Sequence, residues 1–114
     1  MARIFSMMAA AAAALPLALA HADSPPGGER LGKVTFPVSC AAQPDFNRAV
    51  ALLHSFWFLP ANKAFRDIAA KDPGCGMAWW GVAMVTLGNP LAGAPTPQGL
   101  KTGLDAVDKA KAAG

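Results

Sequence analysis

Past an irregular beginning, apolar residues recur along most of this chain at the spacing of helices. Phe46, Ala49, Val50, Leu53 and Trp57 stand at i, i+3, i+4, i+7 and i+11, which places them on one helical face. Pro44 suits a first helical turn, and Asp45 sits where the positive end of the helix dipole favours it. The pattern carries this first helix to about Phe58. Pro60 opens a second, whose stripe of Ala61, Ala64, Phe65, Ile68 and Ala69 runs until Pro73-Gly74, with Lys63, Asp67 and Lys71 four apart on the solvated side. From Met77 to Leu87 the residues are apolar nearly all round, Trp79, Trp80, Val82, Ala83 and Met84 among them, so this third helix should lie between neighbours. Gly88-Asn89-Pro90 ends it. After a small-residue loop over 91–95, Thr96 is a natural N-cap with Pro97 at the first helical position, and Leu100, Leu104 and Val107 form the stripe of a fourth helix. The short alternating segment 34–38 is expected to lie extended against the first helices, with Pro37 excluding a central strand. The expected fold is all-α, about four helices in antiparallel hairpins.

The irregular beginning has an order of its own. Met1-Ala2-Arg3 is followed by an uncharged run from Ile4 to Ala20 and then by Ala20-His21-Ala22, the sequence of charged, apolar and small-x-small parts found in a cleavable signal peptide. Pro16 interrupts the run, and its many alanines are too weakly apolar for a membrane span. Cleavage is expected after Ala22. The next cysteine is Cys40, so no lipid attachment point follows the leader and no stable membrane anchor is expected. Residues 23–33, rich in Pro and Gly, read as a flexible leader, and 34–114 as the helical domain.

Export changes how composition is read. Much of the 54% hydrophobic content belongs to the leader, and with Arg3 removed the ten Lys and Arg become nine against seven Asp and Glu. Neither a basic run nor aromatic-basic interleaving is present, which argues against nucleic acid as a partner. A small exported domain commonly needs a covalent staple, and Cys40 and Cys75 are most simply one disulfide. Two buried thiols remain the alternative. Neither cysteine has a second Cys or His at ligand spacing, so no metal site is assigned.

Two helix pairs of similar length are either a bundle or two units of a repeat. Counting back from Pro73, Phe65 falls on the large aromatic of a second helix, Ala61 on its small contact position and Ala49 on the small position of a first helix. Counting forward, Trp79 opens the next unit and Ala83 takes its small position. Small residues there let helix backbones approach while large side chains fill the gaps beside them. On these residues the chain resembles the tetratricopeptide-repeat family. More narrowly, it is similar to exported bacterial repeat proteins through Phe36 to Cys40, Leu53 to Trp57, Ala61 to Phe65, Asp72 to Cys75 and Trp80 to Met84. It departs from the family pattern at Asp45 or Phe46, where the first unit would open with Trp, at Leu52, where an aromatic is usual, and in the long loop after Leu87. The resemblance implies a scaffold that presents a helical groove to a protein or peptide. It further implies that more helices follow residue 114, so that this chain is the amino-terminal part of a longer array.

Chemistry-bearing residues are few. His54 lies between the apolar positions Leu53 and Trp57 and has neither a nucleophile nor an orienting carboxylate in any recognisable motif; Ser55 is adjacent in sequence and therefore on another face. Trp57, Trp79 and Trp80 with Phe56, Phe58 and Phe65 could line a ligand cavity, though core packing explains the same residues. Met77 and Met84 could be soft copper ligands beside His54, but no second His completes a site. The reading is therefore of a binding protein without enzyme activity or cofactor, with Arg48, Ser55 and Thr86 as the contact residues of the first helices. Two alternatives stand beside it. One is the scaffold end of an exported enzyme or ligand-binding protein whose site lies beyond residue 114. The other is a small periplasmic metal binder using His54, Cys40 and Cys75.

Overall fold

The computed structural model describes residues 30–114, and the expected signal peptide and its cleavage site lie outside the described residues. The described chain is all-helical: α1 (Gln43–His54), α2 (Phe58–Lys71), α3 (Gly76–Leu87), a 3-10 turn (Pro90–Ala92) and α4 (Pro97–Ala113). Each α-helix packs on its sequence neighbour, and α1 also reaches α3, as helical hairpins joined by short turns require. None of the helices is long and apolar enough to cross a membrane.

One core joins the four helices. Phe46, Ala49, Val50 and Leu52 of α1 meet Ala61, Phe65 and Ile68 of α2, then Ala78 and Val82 of α3, and Ala106 of α4 closes the far side. Phe46 and Phe65 meet edge to face, 5.6 Å between centroids, the geometry aromatic quadrupoles favour. On the solvated side of α2, Lys63 pairs with Asp67 at 2.7 Å, while Lys71 reaches Asp45 of α1 at 3.9 Å. Both pairs are exposed and add little to stability.

Residues 34–38 lie extended across α1, as the alternation predicts: Val34, Phe36 and Val38 pack on the core. Leu31, from the stretch read as a flexible leader, packs there too. Side chains of α1 take the place of a neighbouring strand. The Phe36 N–H donates to Asn47 Oδ1 (3.1 Å) and the Val38 N–H to Gln43 Oε1 (2.9 Å), while Gln43 Nε2 donates to the Phe36 carbonyl (2.7 Å). Backbone groups that would be left unpaired against the helix are thereby satisfied. Cys40 then bonds to Cys75 at the start of α3, with a Cα–Cα distance of 5.2 Å, and ties this segment to the second hairpin.

Two expectations are corrected. The first helix was expected to run to about Phe58, but α1 ends at His54 and α2 already begins at Phe58. The Trp57 N–H bonds to the Leu52 carbonyl (3.0 Å) and the Phe56 N–H to the Leu53 carbonyl (3.1 Å), with Phe56 at φ 60°. That is a Schellman termination with Phe where Gly is usual. Trp57, read as the last residue of the buried stripe, is exposed as the N-cap of α2.

The second correction concerns α4. Its expected stripe is largely outside the core, with Leu100 53% and Leu104 57% exposed. The seam against α3 runs instead through Gly99, Gly103, Ala106 and Ala110. A side chain at Gly99 would meet the Thr86 carbonyl at 3.5 Å, one at Gly103 would meet Thr86 and the Ala83 carbonyl, and one at Gly76 would come within 2.8 Å of the Ala110 carbonyl. The close approaches at Gly103, to the Thr86 side chain, and at Gly76, to the Ala110 carbonyl, leave no room for large side chains in the seam, and the leucines of α4 face outward.

Candidate functional site

Positions 80, 84 and 87 fall on one face of α3, so Trp80, Met84 and Leu87 form a ridge. Two hollows share that ridge. The larger, of 480 Å³, opens toward the α1–α2 turn and is completed by Phe36, Leu53, His54, Phe56 and Phe58 with Gly88 and Pro90. The smaller, of 210 Å³, opens toward α4 and is completed by Leu100, Leu104 and Val107 together with Pro95 and the α3–α4 seam. The larger volume is within the range of ligand pockets. Together they make one apolar surface running from the α1–α2 turn across α3 to α4.

The fold brings the lining of the larger hollow together from the extended segment, the end of α1, the α1–α2 turn, α2, α3 and the loop after it. The extended segment contributes Phe36, whose ring lies 5.6 Å from those of both Phe46 and Trp80 and is thereby fixed against the core. The Schellman turn contributes Phe56, 56% exposed, which meets Phe58 at right angles with centroids 6.0 Å apart. His54, exposed at the end of α1, is the one polar side chain in the lining. A bulky residue held at positive φ is uncommon, and such backbone strain gathers at sites of function. Here it sets an aromatic ring at the rim of an apolar hollow.

Of the aromatic set singled out in the sequence, Phe56, Phe58 and Trp80 do come together in this lining. Phe65 is core, and Trp79 is covered on α3 by Lys109 Nζ at 4.5 Å and the Arg66 guanidinium at 5.9 Å, a cation–π contact from α4 and from α2. Phe36, which carries no helical periodicity, was missed as a lining residue. Its position between Val34 and Val38 on one side of an extended segment was the available signal.

The structure does not bring Arg48, Ser55 and Thr86 into one place. Arg48 lies between α1 and α2 in a small charged hollow with Asp45, Asp67 and Lys71. Ser55 is the C-cap of α1, its N–H bonded to the Ala51 and Leu52 carbonyls. Thr86, expected to be exposed, is half-buried in the α3–α4 seam, where its Oγ1 donates to the Ala83 carbonyl at 2.6 Å. Of the residues assigned to repeat positions in the sequence, Ala49, Ala61 and Phe65 are fully buried and Trp79 and Ala83 half-buried, whereas Pro73 stands exposed in the turn after α2.

Met84 borders both hollows of the ridge, whereas Met77 lies in a separate one beside Cys40. The set of His54, Cys40 and Cys75 is not assembled either: His54 is in the aromatic hollow, and the cysteines are bonded to each other with Asp72 as their neighbour. Comparison with known proteins gives no match, whether to a family model, to a curated protein or to a solved structure.

Proposed function

We propose that this chain is an exported helical-repeat module of the tetratricopeptide type that binds an apolar, aromatic-bearing segment of a protein or peptide. The observation that carries the reading is the continuous surface over Trp80, Met84 and Leu87, with Phe36, Phe56 and Phe58 at one end and Leu100 and Leu104 at the other. Exposed apolar area of this kind marks interaction sites, and fixed aromatic rings provide anchors at low entropic cost. The paired cysteines suit an oxidising compartment, and the amino-terminal sequence supplies the export signal.

A displayed library of random peptides tests the reading, selected on the purified oxidised chain. Enrichment of peptides with aromatic or long aliphatic residues, lost in a Leu87→Asp variant that retains its melting temperature, is the expected result. Failure of any sequence class to enrich, or enrichment indifferent to Leu87→Asp, counts against it.

A further inference from the structure

We propose that in its reduced form the chain binds one zinc ion through the thiolates of Cys40 and Cys75 and the carboxylate of Asp72, at the place the disulfide occupies when oxidised. The two sulfurs and a carboxylate oxygen of Asp72 all lie within 4.8 Å of one another. The extended stretch brings Cys40, remote in sequence, to the α2–α3 turn, where Asp72 is the C-cap of α2 and Cys75 the N-cap of α3. The proposal stands apart from the peptide surface, since none of these three residues lines it.

The geometry is close to what zinc requires. With Zn–S near 2.3 Å, tetrahedral ligand atoms sit about 3.8 Å apart. Once the S–S bond is broken the sulfurs have to part to that distance, and the carboxylate oxygen has to draw in by at most about 1.3 Å from the 4.8 Å limit. Asp72 is already held in place: its Oδ2 accepts from the Ala41 N–H at 3.2 Å, and its backbone carbonyl accepts from the Cys75 N–H at 3.0 Å. Cys75 is buried while Cys40 and Asp72 are half-buried. A hollow of 310 Å³ lined by Ser39, Cys40, Gly74 and Met77 gives solvent access to the Cys40 side, by which an ion and a water as fourth ligand can arrive. Two thiolates with one carboxylate form a borderline donor set that suits zinc and not the all-oxygen cations.

The interconversion balances. A dithiol reductant gives two electrons and two protons to the Cys40–Cys75 bond, becoming a disulfide itself and leaving two thiols on the chain. Zinc uptake displaces those two protons to solvent. A disulfide oxidant later takes two electrons from the sulfurs, the S–S bond re-forms, and the zinc ion leaves. The site would therefore be closed to metal in an oxidising compartment and open to it under reducing conditions.

The test uses the purified chain reduced by a phosphine, which does not compete as a thiol ligand, and titrated without oxygen with zinc alone and with cobalt(II) alone. The expected results are uptake of one equivalent, a thiolate-to-cobalt charge-transfer band, a raised melting temperature with zinc, and no uptake by the oxidised chain. Asp72→Asn keeps an acceptor for the Ala41 N–H but offers zinc no charge, so it should weaken affinity at least about ten-fold. Absence of stoichiometric uptake overturns the proposal, as does equal affinity in Asp72→Asn. Uptake that leaves the reduced chain without a cooperative thermal transition overturns it as well, because unfolded cysteines then suffice.

Discussion

The ring of Phe65 fills the space that a side chain at Gly81 would need, so α2 and α3 meet with a glycine under a phenylalanine. Both are fully enclosed by the core. Replacing Gly81 by Ala sets two effects against each other. Relief of glycine's poor helix propensity gains about 1 kcal/mol, whereas forcing a methyl into a closed contact costs about 1–3 kcal/mol, and a buried ring has little room to retreat. Gly81→Ala is therefore expected to lower stability, by up to about 2 kcal/mol as the net of these terms. A double variant with Phe65→Leu should recover part of that loss relative to Phe65→Leu alone. Urea unfolding of the four proteins measures the coupling, and simple additivity would show that the contact is not what sets the spacing of α2 and α3.

Phe56 offers the opposite case, a residue whose replacement should improve the fold. At φ 60° it takes the position of a Schellman termination that glycine usually fills. The left-handed conformation costs an L-residue about 1–2 kcal/mol. Phe56→Gly removes that strain, loses the edge contact with Phe58 and gives the unfolded chain more freedom, so a net gain of up to about 1 kcal/mol is expected. The same change removes an aromatic ring from the 480 Å³ hollow. Stability by denaturant unfolding should rise while affinity for a selected peptide falls. A loss of stability would mean that the ring contributes more to the fold than its exposure indicates.

The same turn explains where the sequence was legible and where it was not. Ends marked by glycine, proline or a hydroxyl cap were readable: Gly88 closes α3 at φ 67°, and Thr96 Oγ1 accepts from the Gly99 N–H at 3.0 Å at the start of α4. The end of α1 carries no such signal, because a phenylalanine does the work of a glycine there, and the apolar period runs on unbroken into the next helix. In α4 the periodicity of large residues pointed outward, since the seam uses Gly99, Gly103, Ala106 and Ala110, which repeat at 4, 3 and 4 but are weak in any hydrophobic count. The aromatic hollow was legible only in part. Phe56, Phe58 and Trp80 stood out as aromatics, but their meeting with Phe36 depends on the bonds from Gln43 and Asn47 to residues 36–38, which no local pattern announces. The small positions Ala49 and Ala61 were the clearest, because close helix approach leaves few residue types available.

Joining Cys40 to Cys75 closes a loop with a sequence separation of 35 and anchors the extended segment to α3. In the chain-entropy model a loop of that length is worth about 3–4 kcal/mol, most of it through the unfolded state. A Cys40→Ala/Cys75→Ala double variant is expected to be less stable by about that amount, and the segment 34–38 should lose hydrogen-exchange protection before the helices do. Measuring exchange by residue separates these effects. Uniform loss of protection along the chain would show that the disulfide supports the whole core and not chiefly the segment it ties down.

Leu104 and Gly103 are neighbours in sequence with opposite predicted consequences. Gly103 faces Thr86 and the Ala83 carbonyl across the α3–α4 seam, whereas Leu104 is 57% exposed beside the smaller hollow. Gly103→Val should force the helices apart and cost about 1–3 kcal/mol by overpacking, with a loss of helical signal if α4 detaches. Leu100→Gln and Leu104→Gln together remove apolar surface from the exterior, so their effect on stability should stay within about 1 kcal/mol, roughly the sum of two surface substitutions. They should nonetheless weaken peptide binding, because both side chains line the α4 end of the proposed surface. Melting curves and binding isotherms of the two variants decide the point. If the leucine pair unfolded the chain and Gly103→Val did not, the large-residue stripe would be the packing face after all, and the groove would have to end at the α3 ridge.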